Sequence, residues 1–208
     1  MIRLVVILFI ATGLLAIGSI GESYGSAQIS ISASKPVYSY GESLSFSIRV
    51  SNVTGDNAVL EIVDQANQSS GPVPTIITKP VSNFTAPFPF YRTTYAPGTY
   101  FLKIQYAGAS AVTSFQLVDT GNIAIPPQFK EVASSWVQNQ TSSRLFGEHI
   151  AALVSSGTIK IDGYHEQNVT SIPQWFRNDA LWWSNGSISD SDFGHAIEYL
   201  IESDIMRV

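Results

Sequence analysis

The chain has 208 residues, 45% of them hydrophobic and 13% charged, with 11 Lys+Arg against 16 Asp+Glu and no cysteine. A formal charge of −5 argues against non-specific nucleic-acid binding, which needs an excess of Lys and Arg to meet phosphates. The missing cysteine excludes disulfides, thiolate metal sites, a cysteine nucleophile and a lipidated-cysteine anchor.

Met1, Ile2 and Arg3 place one positive charge ahead of an apolar run over residues 4–20, and Gly25, Ser26 and Ala27 then offer small residues for cleavage before Gln28. Residues 1–27 read as an export signal peptide, so the mature protein is expected to be secreted or held at the exterior of the cell envelope. The alternative is an uncleaved N-terminal anchor, since the run reaches the lower limit for spanning a bilayer. It is the one expected route to a membrane.

Six of nine asparagines open Asn-x-Ser/Thr triplets, at Asn52, Asn67, Asn83, Asn139, Asn168 and Asn185. Chance in a chain this rich in Ser and Thr gives about two. These are candidate N-glycosylation sites on exposed turns, although a Ser/Thr-rich surface also produces such triplets by accident.

Residues 28–119 are written in period two. Leu44, Phe46, Ile48 and Val50 alternate with polar residues, and Tyr100, Leu102, Ile104 and Tyr106 do the same, which puts one face of each strand on a core. Further strands are expected at 29–34, 58–64, 75–79, 88–94 and 112–118, separated by Gly, Pro, Asn and Ser clusters. About seven short strands in this span indicate an antiparallel β-sandwich. Tyr40, Gly41, Glu42 and Leu44 form one turn-to-strand signal, and Pro97, Gly98, Thr99 and Tyr100 form another. With these the segment resembles the Ig-like domains of macroglobulin type found in exported prokaryotic proteins. That resemblance implies a corner role for Tyr100, its hydroxyl satisfying nearby backbone. It implies no particular activity, because the fold hosts adhesion, spacing and binding alike.

Residues 125–161 align without a gap on 172–208 at an offset of 47, with eleven identities that include Ile125/Ile172, Phe129/Phe176, Ala133/Ala180, Trp136/Trp183, Ser142/Ser189, Phe146/Phe193 and Gly147/Gly194. Each copy reads as a helical hairpin. A proline opens the first helix, Phe, Ala and Trp at spacings of four and three mark its inner face, and Asn139 or Asn185 with Gly186 breaks it. Ser189 with Asp192 is a capping box for the next helix, whereas the first copy keeps Ser142 but has Leu145 in place of the acid. A terminal apolar pair, Ile159 and Ile161 or Met206 and Val208, is expected to close each hairpin. Ile172, Pro173, Trp175, Phe176, Ala180, Trp182, Trp183, Gly186, Ser189, Asp192 and Phe193 together resemble a Trp-containing helical repeat of exported archaeal proteins. The first copy departs from it at Ser135. The resemblance implies a secreted or envelope-associated module and transfers no catalytic residue.

The expected fold class is therefore all-β plus all-α. Residues 28–119 form an Ig-like β-sandwich, 120–124 a linker, 125–161 hairpin repeat 1, 162–171 a second linker and 172–208 hairpin repeat 2. His149, His165 and His195 stand in no ligand spacing, and Asp190 with Asp192 fits a helix start better than a calcium loop, so no metal or cofactor is expected. No nucleophile elbow, Walker loop or dinucleotide glycine pattern occurs, and an enzyme is not expected.

With Phe176 and Trp183 turned inward, Trp175 and Trp182 lie seven apart on a neighbouring face of one helix. Repeat-on-repeat packing would bury both, and this is the reading that repeat architecture favours. The other reading makes them an exposed docking pair, for a protein surface or a sugar. Lys130, Arg144 and Lys160 against Glu131 and Glu148 leave the first copy at +1, while the second stands at −4. The expected function is a non-enzymatic structural or binding module acting through protein–protein docking at the cell surface. The alternative is an accessory ligand- or carbohydrate-recognition protein for an exported enzyme or transporter, with segments 65–74 and 85–89 making the contacts. An unrecognised hydrolase site is a third and weaker reading.

Overall fold

A computed structural model describes residues 28–165 and 171–208. The export segment 1–27 and Asn168 lie outside the described residues. Among the described residues no helix is long and apolar enough to cross a membrane.

The first half is β structure and the second is helical. The strands are β1 (Ile29–Ala33), β2 (Val37–Ser39), β3 (Ser43–Val50), β4 (Asn57–Asp64), β5 (Val73–Ile76), β6 (Val81–Pro89), β7 (Gly98–Tyr106) and β8 (Ala109–Val118). They form a three-stranded sheet ordered β1-β3-β6 and a five-stranded sheet ordered β2-β8-β7-β4-β5. The period-two reading locates the core correctly: Leu44, Phe46, Ile48 and Val50 of β3 and Tyr100, Leu102, Ile104 and Tyr106 of β7 are all buried, in one cluster shared by both sheets. The Tyr100 hydroxyl donates to the Ala96 carbonyl at 2.7 Å, the backbone satisfaction expected of it.

Three features differ from expectation. β2 is an additional strand of three residues, too short to show a period, and it pairs parallel to β8, so the sheets are not purely antiparallel. The cause is that the chain crosses from one sheet to the other between β1 and β2, and it joins β8 already at Pro36, whose carbonyl accepts the Gln116 N–H at 2.9 Å. The strand expected at 88–94 instead runs over Val81–Pro89, at the edge of its sheet, where Pro87 and Pro89 are tolerated. The strand expected at 75–79 shifts to Val73–Ile76, an edge strand where Pro74 is tolerated.

The four helices are α1 (Gln128–Val137), α2 (Ser143–Ser155), α3 (Phe176–Ser184) and α4 (Asp190–Glu202). They share one core, in which Trp136 and Trp183 are completely buried. Positions 47 apart play matching parts. Trp136 stacks on Phe146 with centroids 4.2 Å apart, and Trp183 on Phe193 at 4.1 Å. Asn139 (φ 59°) and Gly186 (φ 83°) make the left-handed breaks after α1 and α3, which asparagine and glycine tolerate best. Ser142 caps α2 through the Leu145 N–H, and Ser189 caps α4 with the full box closed by Asp192. Ile159, Met206 and Val208 return into the same core, with Ile161 partly buried against it.

Residues 120–124 run as a packed strap between the two halves. Ile123 and Ile125 sit in the helical core, and the Ile123 N–H donates to Ser191 Oγ at 2.9 Å. A Cβ on Gly194 would lie 2.5 Å from Ile123 Cδ1, so α4 needs glycine where the strap crosses it. Asp119 adds a second tie, accepting from Arg92 at 2.8 Å and from Lys160 at 2.9 Å. Burial pushes the Asp119 carboxyl up, but hydrogen bonds from Lys160 and Gly121 and the charges of Arg92 and Lys160 outweigh it and hold the group below its ordinary value.

Candidate functional site

Helix α3 has two faces with different fates. Phe176, Ala180 and Trp183 at spacings of four and three form the buried face. Trp175 lies directly before α3 with helical backbone (φ −67°, ψ −24°), so Trp175, Asp179 and Trp182 continue the helical register at spacings of four and three on another face. Trp175 is 55% exposed and Trp182 47%. The reading that buries both between the repeats is therefore corrected. α1 packs against α3 through their inner sides, and Phe176, Trp183 and Trp136 already fill the space between the copies.

Asp179 is half-buried between these rings in the register, and burial alone pushes its carboxyl above the ordinary value. Among the described residues it has no hydrogen-bond or ion-pair partner. Leu181, beside Trp182, is also exposed.

The inner face shows how this protein treats its other tryptophans. Trp183 Nε1 donates to Asp190 Oδ1 at 2.8 Å, and Trp136 Nε1 to Ser143 Oγ at 3.1 Å. Asp190 also accepts the Ile125 N–H at 2.9 Å and pairs with Lys130 at 3.1 Å. Cations are exchanged between the copies: Lys130 of α1 lies over the Trp183 ring at 5.5 Å, and Arg177 of α3 over the Trp136 ring at 4.5 Å. Arg177 also donates to the Trp136 carbonyl. Sequence reading missed this exchange and the hub at Asp190; the alignment of Lys130 with Arg177 at the same offset was the available signal.

The remaining candidates are dispersed. His149 Nδ1 donates to the Leu145 carbonyl at 2.8 Å, and exposed His195 pairs with Glu198 at 2.6 Å. Asp192 is committed to the Ser189 cap, whose hydroxyl and N–H hydrogen bonds hold its carboxyl low. Among the described residues no group of three His, Cys, Asp or Glu is placed to hold a metal ion. Asn52, Asn67, Asn83, Asn139 and Asn185 are all exposed, Asn83 from within β6 opposite Ser47. Asn185 Oδ1 accepts from the N–H and hydroxyl of Ser187 in its own triplet.

In the β half, two adjoining clefts share Ile62, Thr94 and Tyr95. One, of about 300 Å³, is lined by Leu44 and the run from Ala86 to Tyr91. The other, of about 410 Å³, takes in Gln68, Ser69, Ser70 and Tyr100.

No known family model and no curated protein matches the chain. Among solved structures, the sulfur carrier protein SoxY from Chlorobium limicola f thiosulfatophilum aligns at 12% identity and a TM-score of 0.26, over 46% of this chain and 80% of that one. A beta-glucosidase from Listeria innocua aligns at 13% identity and a TM-score of 0.26, over 44% of this chain and 16% of its own.

Proposed function

We propose that this protein is a non-enzymatic module, secreted or held at the cell envelope, that docks on a protein partner at the cell surface through the outer face of α3. The observation that carries the reading is the exposure of Trp175 and Trp182 on a helix whose buried face is formed by Phe176, Ala180 and Trp183. Tryptophan is among the residues that dominate binding energy when a partner covers it. In this reading the two sheets are an Ig-like β-sandwich of macroglobulin type that acts as spacer or display domain, supported by the Tyr100 corner bond. The helix pairs are tandem Trp-bearing hairpins like those of exported archaeal proteins, supported by the matched stacking, breaks and caps at an offset of 47. Export rests on the composition of residues 1–27 and on the six triplets.

Photo-leucine at Leu181, activated on intact cells, tests it. Cross-links to one abundant surface protein support docking through α3; cross-links to none, with efficient capture from segments 65–74 and 85–89, oppose it.

One observation favours the accessory-recognition reading, in which the sheets bind a ligand or carbohydrate. Segments 65–74 and 85–89, expected to make such contacts, line the two adjoining clefts. Sugar binding that disappears in Phe88→Ala and survives in Trp182→Ala would move the function there; Phe88 is exposed, so its loss leaves the core intact.

A further inference from the structure

We infer that the occupant of the α3 face is a basic segment of the partner, with a Lys or Arg side chain seated between Trp175 and Trp182 against the Asp179 carboxylate. The inference rests on the docking reading and names the chemistry that would satisfy it.

The first ground is geometric. Seven residues of helix are two turns, about 10.5 Å of rise, which leaves room between two indoles for a side chain that approaches across the helix. Asp179, four residues after Trp175 and three before Trp182, stands in that gap.

The second ground is the state of Asp179. A carboxylate that is partly withdrawn from water and has no counter-charge is held at a cost, which a cation arriving from outside relieves. No cation of the same copy is free to do this. Arg177 is committed to the Trp136 ring and carbonyl, and Arg207 to Asp204.

The third ground is the chain's own practice. Each fully buried tryptophan has a cation over its ring, Lys130 on Trp183 and Arg177 on Trp136, and such contacts strengthen as water is excluded. Trp175 and Trp182 have the same ring chemistry without the cation. The −4 charge of the second copy supplies the matching long-range sign. At the equivalent positions of the first copy stand Gln128, Val132 and Ser135, which offer neither ring nor charge.

The test uses the full chain and tryptophan fluorescence, titrated with pentalysine, pentaglycine and a neutral oligosaccharide, chitotriose. Saturable binding of pentalysine alone is expected. Asp179→Asn should weaken it about tenfold, the scale of one desolvated cation contact, while Glu202→Gln, an exposed charge on the same copy, shifts it less than about twofold. Equal losses in these two variants would reduce the effect to diffuse charge and overturn the inference, as would quenching by chitotriose in place of pentalysine. Retention on isolated envelopes separates this inference from its premise. If the Trp175→Ala/Trp182→Ala variant is released while Asp179→Asn is retained, docking stands and the basic segment falls. If both are retained, the docking reading itself falls.

Discussion

The two helix pairs are alike inside and different outside. Within the core, an indole on a phenylalanine, an indole N–H on the first residue of the next helix, a left-handed break and a serine cap recur at an offset of 47. Trp175, Asp179 and Trp182 on the outer face of α3 correspond to Gln128, Val132 and Ser135 of α1, where Val132 is partly buried against the core. The inner faces answer to one shared core and repeat, whereas the positions of the outer face do not repeat, and there α3 carries two exposed rings.

That comparison can be broken at its inner face first. Trp183→Ala and Trp136→Ala should each destabilise the protein by about 3–5 kcal/mol, as expected when a large buried ring leaves a cavity, read as a shift in the denaturant midpoint. A much smaller loss in one copy would show that the duplicated contacts are unequal in weight. Next, Gly194→Ala should cost about 1–3 kcal/mol by overpacking Ile123, and Ile123→Ala in the same chain should recover part of it. Asp190→Ala should cost about 1–3 kcal/mol because it orphans both the Trp183 indole and the Ile125 N–H, and Ser143→Ala should cost less because Ser143 holds only the indole.

The acids sharpen the comparison through pH. Asp119 has a lowered carboxyl, so its contribution to the tie between the halves is complete above the ordinary aspartate range and is lost as pH falls through the lowered value. Asp179 has a raised carboxyl, so the sign reverses: its protonated form favours folding, and that advantage is lost as pH rises through the raised value. Asp179→Asn should therefore change stability at neutral pH by no more than about 0.5 kcal/mol, and in the stabilising direction, read by thermal unfolding. A clear destabilisation would give Asp179 a structural role and remove it from the docking face.

Much of the architecture was legible because burial imposes a period. β3 and β7 alternate because one face meets the core, and the offset of 47 is visible because both copies fill one core with the same residue types. β2 was not legible, since three residues carry no period and its parallel pairing depends on where the chain crosses between sheets. The strap at 120–124 had a signal, the apolar Ile123 and Ile125, but its burial depends on α4 offering Gly194. For the candidate face, helical spacing separates Trp175 and Trp182 from Trp183, yet it cannot say whether another element covers them. Asp179 was passed over because a lone acid on a helix reads as a solvated charge; its lack of a partner appears only in three dimensions.

The account is tested most directly by sedimenting isolated cell envelopes with three forms of the chain: wild type, Trp175→Ala/Trp182→Ala, and the matching first-copy change Gln128→Ala/Ser135→Ala. Release of the tryptophan variant alone, with unfolding midpoints unchanged in all three, is the expected result. Equal retention of all three forms would contradict a docking role for the outer face of α3.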